Sequence, residues 1–137
     1  MTTCANYDIP TFAAYGKDAD GYGSMWTRSC PMGARFTGPL GHLPKRLQEI
    51  MRARVATITT VIYSYGTPIA WFDAGQWILP DVSYSVTTAK HQGYCWRLRP
   101  AQIPWDCSLD EYMRVLNGQM RFIGRGKDMR TAPGHAA

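Results

Sequence analysis

His91 and Cys95 stand one helical turn apart, the first place in the chain where side-chain chemistry could be assembled. At i and i+4 a thiol and an imidazole share a helix face. Such a pair can form an activated nucleophile, and an unperturbed imidazole titrates near neutral pH. The sequence supplies neither a third group to orient the imidazole nor an oxyanion feature, so His91 reads as a helix-surface or capping residue. The run Asp18-Ala19-Asp20-Gly21 begins like a calcium loop but lacks the later ligands and the closing glutamate. Gly16-Lys17 has the wrong glycine spacing for a phosphate loop. Acidic residues are scarce, with eight Asp and two Glu, and no carboxylate pair suited to glycoside or metal chemistry lies close in sequence. The four cysteines, Cys4, Cys30, Cys95 and Cys107, include no C-x-x-C spacing and have no histidine placed to complete a zinc signature. The expectation is a protein without catalytic residues, cofactor or metal.

The charge points elsewhere. A formal net charge of +5 comes almost wholly from arginine. Lys45, Arg46, Arg52, Arg54, Arg97 and Arg99 form a candidate basic patch, continued by Arg114, Arg121, Arg125, Lys127 and Arg130. Such charge attracts nucleic acid or acidic protein faces, and it also keeps a small protein soluble. A small sheet with tyrosines and tryptophans near arginines could stack single-stranded nucleic acid, although no RNP-like sequence is present. No apolar run approaches the roughly 20 residues of a membrane span. The polar start of the chain does not resemble a secretory leader. These features together read as a cytoplasmic chain with reduced thiols.

The elements that would carry these residues fit one domain over 1–123. The glycines and prolines of residues 1–41 read as an irregular arm whose aromatics wrap the core. Leu43, Leu47, Ile50 and Met51 mark an amphipathic helix over 43–53. Val55 to Tyr65 is dense in β-branched and aromatic residues and reads as a strand. Gly66-Thr67 turns the chain into a second strand, 68–72. Asp73-Ala74-Gly75 reads as a three-residue loop before a third strand, 76–79. A short fourth strand fits 82–85. Thr87 or Thr88 can cap a helix from Ala89 to about Leu98. Ser108 and Glu111 form a capping box opening a helix over 108–117. Residues 124–137 lack apolar periodicity and read as a flexible tail. The fold class expected is therefore α+β: a small antiparallel meander of three to four strands packed with about three helices.

The pieces Ser64-Tyr65-Gly66-Thr67-Pro68-Ile69-Ala70-Trp71 and Tyr84-Ser85-Val86-Thr87-Thr88-Ala89-Lys90-His91-Gln92 are separated by a hairpin. Together they resemble a domain of unknown function found in small accessory proteins of actinobacterial phages, including mycobacteriophages. The resemblance implies a non-structural phage protein in the cytoplasm of an infected bacterial host. Ser64, Tyr65, Gly66, Pro68, Tyr84, Ser85, Thr87, Thr88 and His91 are its motif residues. The simplest role of Ser64, Ser85, Thr87 and Thr88 is to satisfy backbone groups, and Tyr65 and Tyr84 suit cross-strand aromatic pairs. On this reading the protein binds a host protein and inhibits growth when overproduced, with a nucleic-acid regulator as the alternative. The last helix offers an interaction surface through Tyr112, Met113 and Arg114, with Arg121 beyond it. Pairing of the strand at 76–79 across a two-fold axis would give a homodimer; otherwise the chain is a monomer.

Overall fold

A computed structural model describes residues 2–134. The elements run in chain order as β1 (Thr2–Cys4), α1 (Ile9–Ala14), β2 (Ala19–Gly21), β3 (Met25–Ser29), α2 (Lys45–Ala53), β4 (Ile58–Ser64), β5 (Thr67–Asp73), β6 (Gln76–Asp81), α3 (Val86–Cys95), β7 (Ala101–Pro104), α4 (Leu109–Leu116), β8 (Met120–Ile123) and β9 (Arg130–Pro133). Strands β1 to β7 form one mixed sheet in sequence order, and β8 and β9 form a separate antiparallel pair. The outer pairs β1–β2 and β6–β7 are parallel, and the ladders between them are antiparallel. Parallel neighbours need a crossover, and α1 and α3 supply the two crossovers.

Side-chain alternation divides the core. Ile58, Val61 and Tyr63 of β4, with Trp71 and Ile78, face Leu47, Ile50 and Met51 of α2 and Tyr112 and Val115 of α4. Ile62, Ala70 and Leu79 face Ile9 and Ala13 of α1 and Cys95 of α3. The sheet is thus covered on both sides. In the β4–β5 ladder Tyr63 pairs with Pro68 but Ile62 pairs with Ala70, so Ile69 is an extra residue. This bulge lets Ile69 and Ala70 join the same core before Trp71 returns to the other face. Pro68 suits the bulge because it has no N–H to give a ladder.

The architecture corrects the expected three- to four-stranded antiparallel meander. Its β4–β5–β6 centre is present, but the sheet has seven strands and is mixed. The first forty residues are not an irregular arm, since they contribute β1, α1, β2 and β3. β1 and β2 are three residues each, too short to show a period of two. No strand forms at 82–85, where the chain instead runs to the cap of α3. Residues 124–134 are not a free tail. Gly124 takes a left-handed turn at φ 91°, and β9 returns along β8 with Ile123 opposite Arg130. The last three residues of that expected tail, 135–137, lie outside the described residues.

Helix α3 begins at Ser85, whose hydroxyl accepts from the Thr88 amide at 3.1 Å, so neither Thr87 nor Thr88 is the cap. The capping box at Ser108 and Glu111 is present on both sides. Gly93 lies exposed within α3 with open space where a Cβ would sit. Gly93→Ala is expected to raise unfolding free energy by about 0.5–1 kcal/mol, from the backbone entropy glycine retains in the unfolded chain. Urea denaturation would show this; an unchanged midpoint would contradict it.

Candidate recognition site

Both halves of the Ser64–Gln92 motif meet at one end of the sheet. Ser64 closes β4 with its hydroxyl turned toward α3, where Oγ and His91 Nδ1 share a 2.7 Å hydrogen bond. Thr88 Oγ1 lies 3.4 Å from the same hydroxyl, and Ser85 Oγ donates to Thr88 Oγ1 at 3.2 Å. Ser64 is 1% exposed and His91 3%. Buried polar atoms are tolerated when they find such partners. Burial, with the Lys90 charge adding to it, holds the His91 imidazole below its ordinary pKa, so it is neutral at pH 7. His91 is therefore neither a helix-surface nor a capping residue.

Above this network the chain turns through Tyr65 and Gly66, at φ 52° and 79°. Two positive values define a two-residue turn of the type that favours Asn-Gly, so Thr67 begins β5 and is not part of the turn. A tyrosine in the left-handed region is costly. The Tyr65 amide donates to Ser24 O at 3.0 Å, which pins the turn to the β2–β3 connection. The Tyr65 ring stacks on His91 with centroids 6.2 Å apart. His91 lies 6.2 Å from Tyr94, and Tyr94 meets Tyr7 edge-on at 6.5 Å. The result is a ladder of four rings, Tyr65–His91–Tyr94–Tyr7. Tyr65 is 62% exposed and Tyr7 54%, and Tyr22 in the neighbouring connection is 78% exposed.

A Ser–His contact of this length is also what a nucleophile and its base would show. Here the hydroxyl is sealed in the core and bonds Thr88 as well. The Cys95 thiol donates instead to the His91 carbonyl at 3.6 Å, and no hydrogen bond joins it to the imidazole among the described residues. Burial raises the thiol to about 12. Among the described residues no group of three or more His, Cys, Asp or Glu side chains could hold a metal. The arrangement serves best to hold an exposed tyrosine in a fixed pose.

The other expected site residues are dispersed. Tyr112 is not a surface residue: it is fully buried, and Trp71 Nε1 donates to its hydroxyl at 2.8 Å. Met113 packs against the core, Arg114 pairs with Asp110 at 3.1 Å, and Arg121 donates to Pro133 O at 3.0 Å. The basic patch is not one surface. Arg54 is bound to the buried Asp73, and Arg97 reaches Thr11 of α1 at 3.3 Å. Lys45, Arg46 and Arg52 lie on α2 across the sheet, where Arg46 donates to Asp106 O and Arg52 to Gln48. Arg99 is exposed at φ 52° after α3. Of the motif residues, Thr87 is exposed, and Tyr84 is half-buried with its hydroxyl unpartnered among the described residues. Sequence reasoning missed the part played by Tyr7, Tyr22 and Tyr94. A tyrosine beside a left-handed Gly turn was the one legible signal.

Residues 32–95 match a family model described as a family of unknown function (DUF8033). The matched stretch is 64 of 137 residues and holds Ser64, Tyr65, Thr88, His91 and Tyr94, leaving Tyr7 and Tyr22 outside. No curated protein and no solved structure matches the chain. No helix among the described residues is long and apolar enough to cross a membrane.

Proposed function

We propose that the protein is a phage accessory protein that binds a host protein through the tyrosine face around Tyr65, changing the partner's activity and slowing host growth when overproduced. The observation that carries this reading is the exposed Tyr65, held in a conformation unfavourable to tyrosine and braced by the buried His91–Ser64–Thr88 network. Backbone strain of this kind clusters at binding sites. Tyrosine gives a large contact area for little lost side-chain entropy and is enriched at interface hot spots. Tyr7 and Tyr22 widen the face. The host setting rests on the likeness of the two motif pieces to small actinobacterial phage proteins. Dispersal of the arginines favours a protein partner over nucleic acid, whose backbone calls for a continuous basic surface.

The deciding variant is Tyr65→Asn, because asparagine suits this turn better than tyrosine. Its stability should stay within about 1 kcal/mol of wild type, the lost stacking offset by relieved backbone strain. Its affinity for the captured partner should fall by at least roughly thirtyfold, a loss of about 2 kcal/mol. The measurement is affinity capture from nuclease-treated mycobacterial lysate, followed by titration of the protein recovered. A partner held equally by wild type and Tyr65→Asn, or recovery lost only on nuclease treatment, would end this reading.

A further inference from the structure

Across the sheet from the tyrosine ladder a cleft of about 290 Å³ opens between β3, β4 and the segment Arg35–Pro39. Its walls are aromatic. Tyr63 stacks with Trp26 at 5.3 Å and 20° between planes, and with Phe36 at 6.4 Å and 26°. Tyr63 is 1% exposed, and its hydroxyl has no hydrogen-bond partner among the described residues. Burial pushes that hydroxyl's pKa well above the usual tyrosine value, with nearby Arg28 pulling the other way. Orphaned buried hydroxyls are uncommon and call for a partner.

The cover over this hydroxyl is thin, and its backbone amides are not tied down. It passes at Gly38, where any Cβ would collide with Tyr63 Oη. From Thr37 to Gly41 no backbone amide donates a hydrogen bond among the described residues. The charges at the rim are unequal. Arg28 is paired with Asp20 at 2.8 Å, and Asp18 accepts from the Ser29 amide at 2.8 Å. Arg35 is exposed and makes no ion pair among the described residues. An aromatic body thus has walls to stack on, an acceptor oxygen has a hydroxyl to meet, and a negative charge has a cation without a partner.

We infer that this cleft binds a small planar aromatic carboxylate, its ring against the partly exposed Trp26 and Phe36, one oxygen accepting from Tyr63 Oη as Thr37–Pro39 shifts, and its charge facing Arg35. The cover and Tyr63 fall within the stretch matched to the family of unknown function, whereas Trp26 and Arg28 precede it.

The test is an NMR titration of the full chain with benzoate, and with benzamide as the uncharged isostere. Benzoate should shift the Trp26 indole resonance saturably in the millimolar range, with benzamide at least about fivefold weaker. Arg35→Gln, a change at an exposed site, should weaken benzoate about fivefold and leave the melting temperature unchanged. Tyr63→Phe should raise the melting temperature, because it deletes an unsatisfied group, and should weaken benzoate about tenfold. A purely structural Tyr63 would move the first readout and not the second. Absence of a saturable shift at Trp26, or equal benzoate binding by wild type and Tyr63→Phe, overturns the assignment.

Discussion

Asp73→Ala is expected to cost about 3–5 kcal/mol of unfolding free energy, enough to lower the melting temperature by on the order of 10 °C. Asp73 is fully buried. Arg54 Nε donates to its Oδ2 at 2.9 Å and Nη2 to its Oδ1 at 3.0 Å, and the Tyr112 hydroxyl donates to Oδ2 at 2.8 Å. Trp71 Nε1 in turn donates to Tyr112 Oη at 2.8 Å. One carboxylate thereby joins the end of α2, strand β5 and helix α4. The Arg54 pKa lies above its ordinary value chiefly through the hydrogen bond to Asp73, against the opposing pull of burial. Alanine removes the acceptor and leaves a guanidinium and a phenol facing apolar surroundings, and the penalty of those stranded donors dominates the loss. Asp73→Asn keeps one acceptor and should cost clearly less. Chemical denaturation followed by circular dichroism reads both, and an Asp73→Ala loss under 1 kcal/mol would show that the network does not brace the fold.

The same residue shows how far the sequence could be read. Asp-Ala-Gly between two apolar runs has the composition of a loop, and the expectation placed Asp73 in a three-residue turn. In the structure Asp73 pairs with Gln76, and the turn is Ala74-Gly75 alone, at φ 49° and 86°. A period of two from Trp71 puts Asp73 on the inward face, but composition alone gives an aspartate no reason to be inside. The reason is Arg54, 19 residues away and counted in advance as part of a surface patch. Buried ion pairs of this kind are set by tertiary geometry, which a local pattern does not carry.

Local signals were read well where they were strong. The apolar stripe of α2 and the capping box of α4 lie where their patterns placed them, and the β4–β5–β6 centre is present with the start of each of its two turns shifted by one residue. The parallel edges were not legible, because β1, β2 and β7 have three or four residues and gain their hydrogen bonds only from neighbours already in place. The site was half legible. Ser64, Tyr65, Thr88 and His91 stood out as two linked pieces, but the hydroxyls of Ser64 and Thr88 were assigned to backbone and His91 to the helix surface or a cap. In fact the Ser64 and His91 side chains satisfy one another across 27 positions. Tyr7 enters the ladder from a segment whose glycine content suggested no order.

Alkaline titration should unfold this protein steeply, for the reason that also keeps Cys95 from acting as a nucleophile at neutral pH. Burial raises Cys95 and Cys107 from 9.0 to about 12 each. Tyr84 rises from 10.0 to about 12, and Tyr112 lies well above 10.0, in each case chiefly through desolvation. All of these are neutral when protonated, and each folded pKa is the higher one. Their protons are therefore lost first from the unfolded chain. The stability these four groups contribute is full below pH 9 and falls as pH climbs from 9 toward 12, by about 1.4 kcal/mol per pH unit for each thiol. By pH 11 the two thiols alone remove about 5 kcal/mol, comparable to the whole stability of a small domain. Replacing both by alanine should flatten the slope between pH 9 and 10, where the tyrosines contribute little. A group titrating near 12 is thiolate in roughly one molecule in thirty thousand at pH 7.5, so native Cys95 should alkylate with iodoacetamide at least about a thousandfold more slowly than the same residue in urea. Rapid alkylation of Cys95 in the folded protein, or stability that stays level from pH 9 to 11, would mean that the thiols are not held in the closed interior described above, and would restore Cys95 and His91 as candidates for bond-making chemistry.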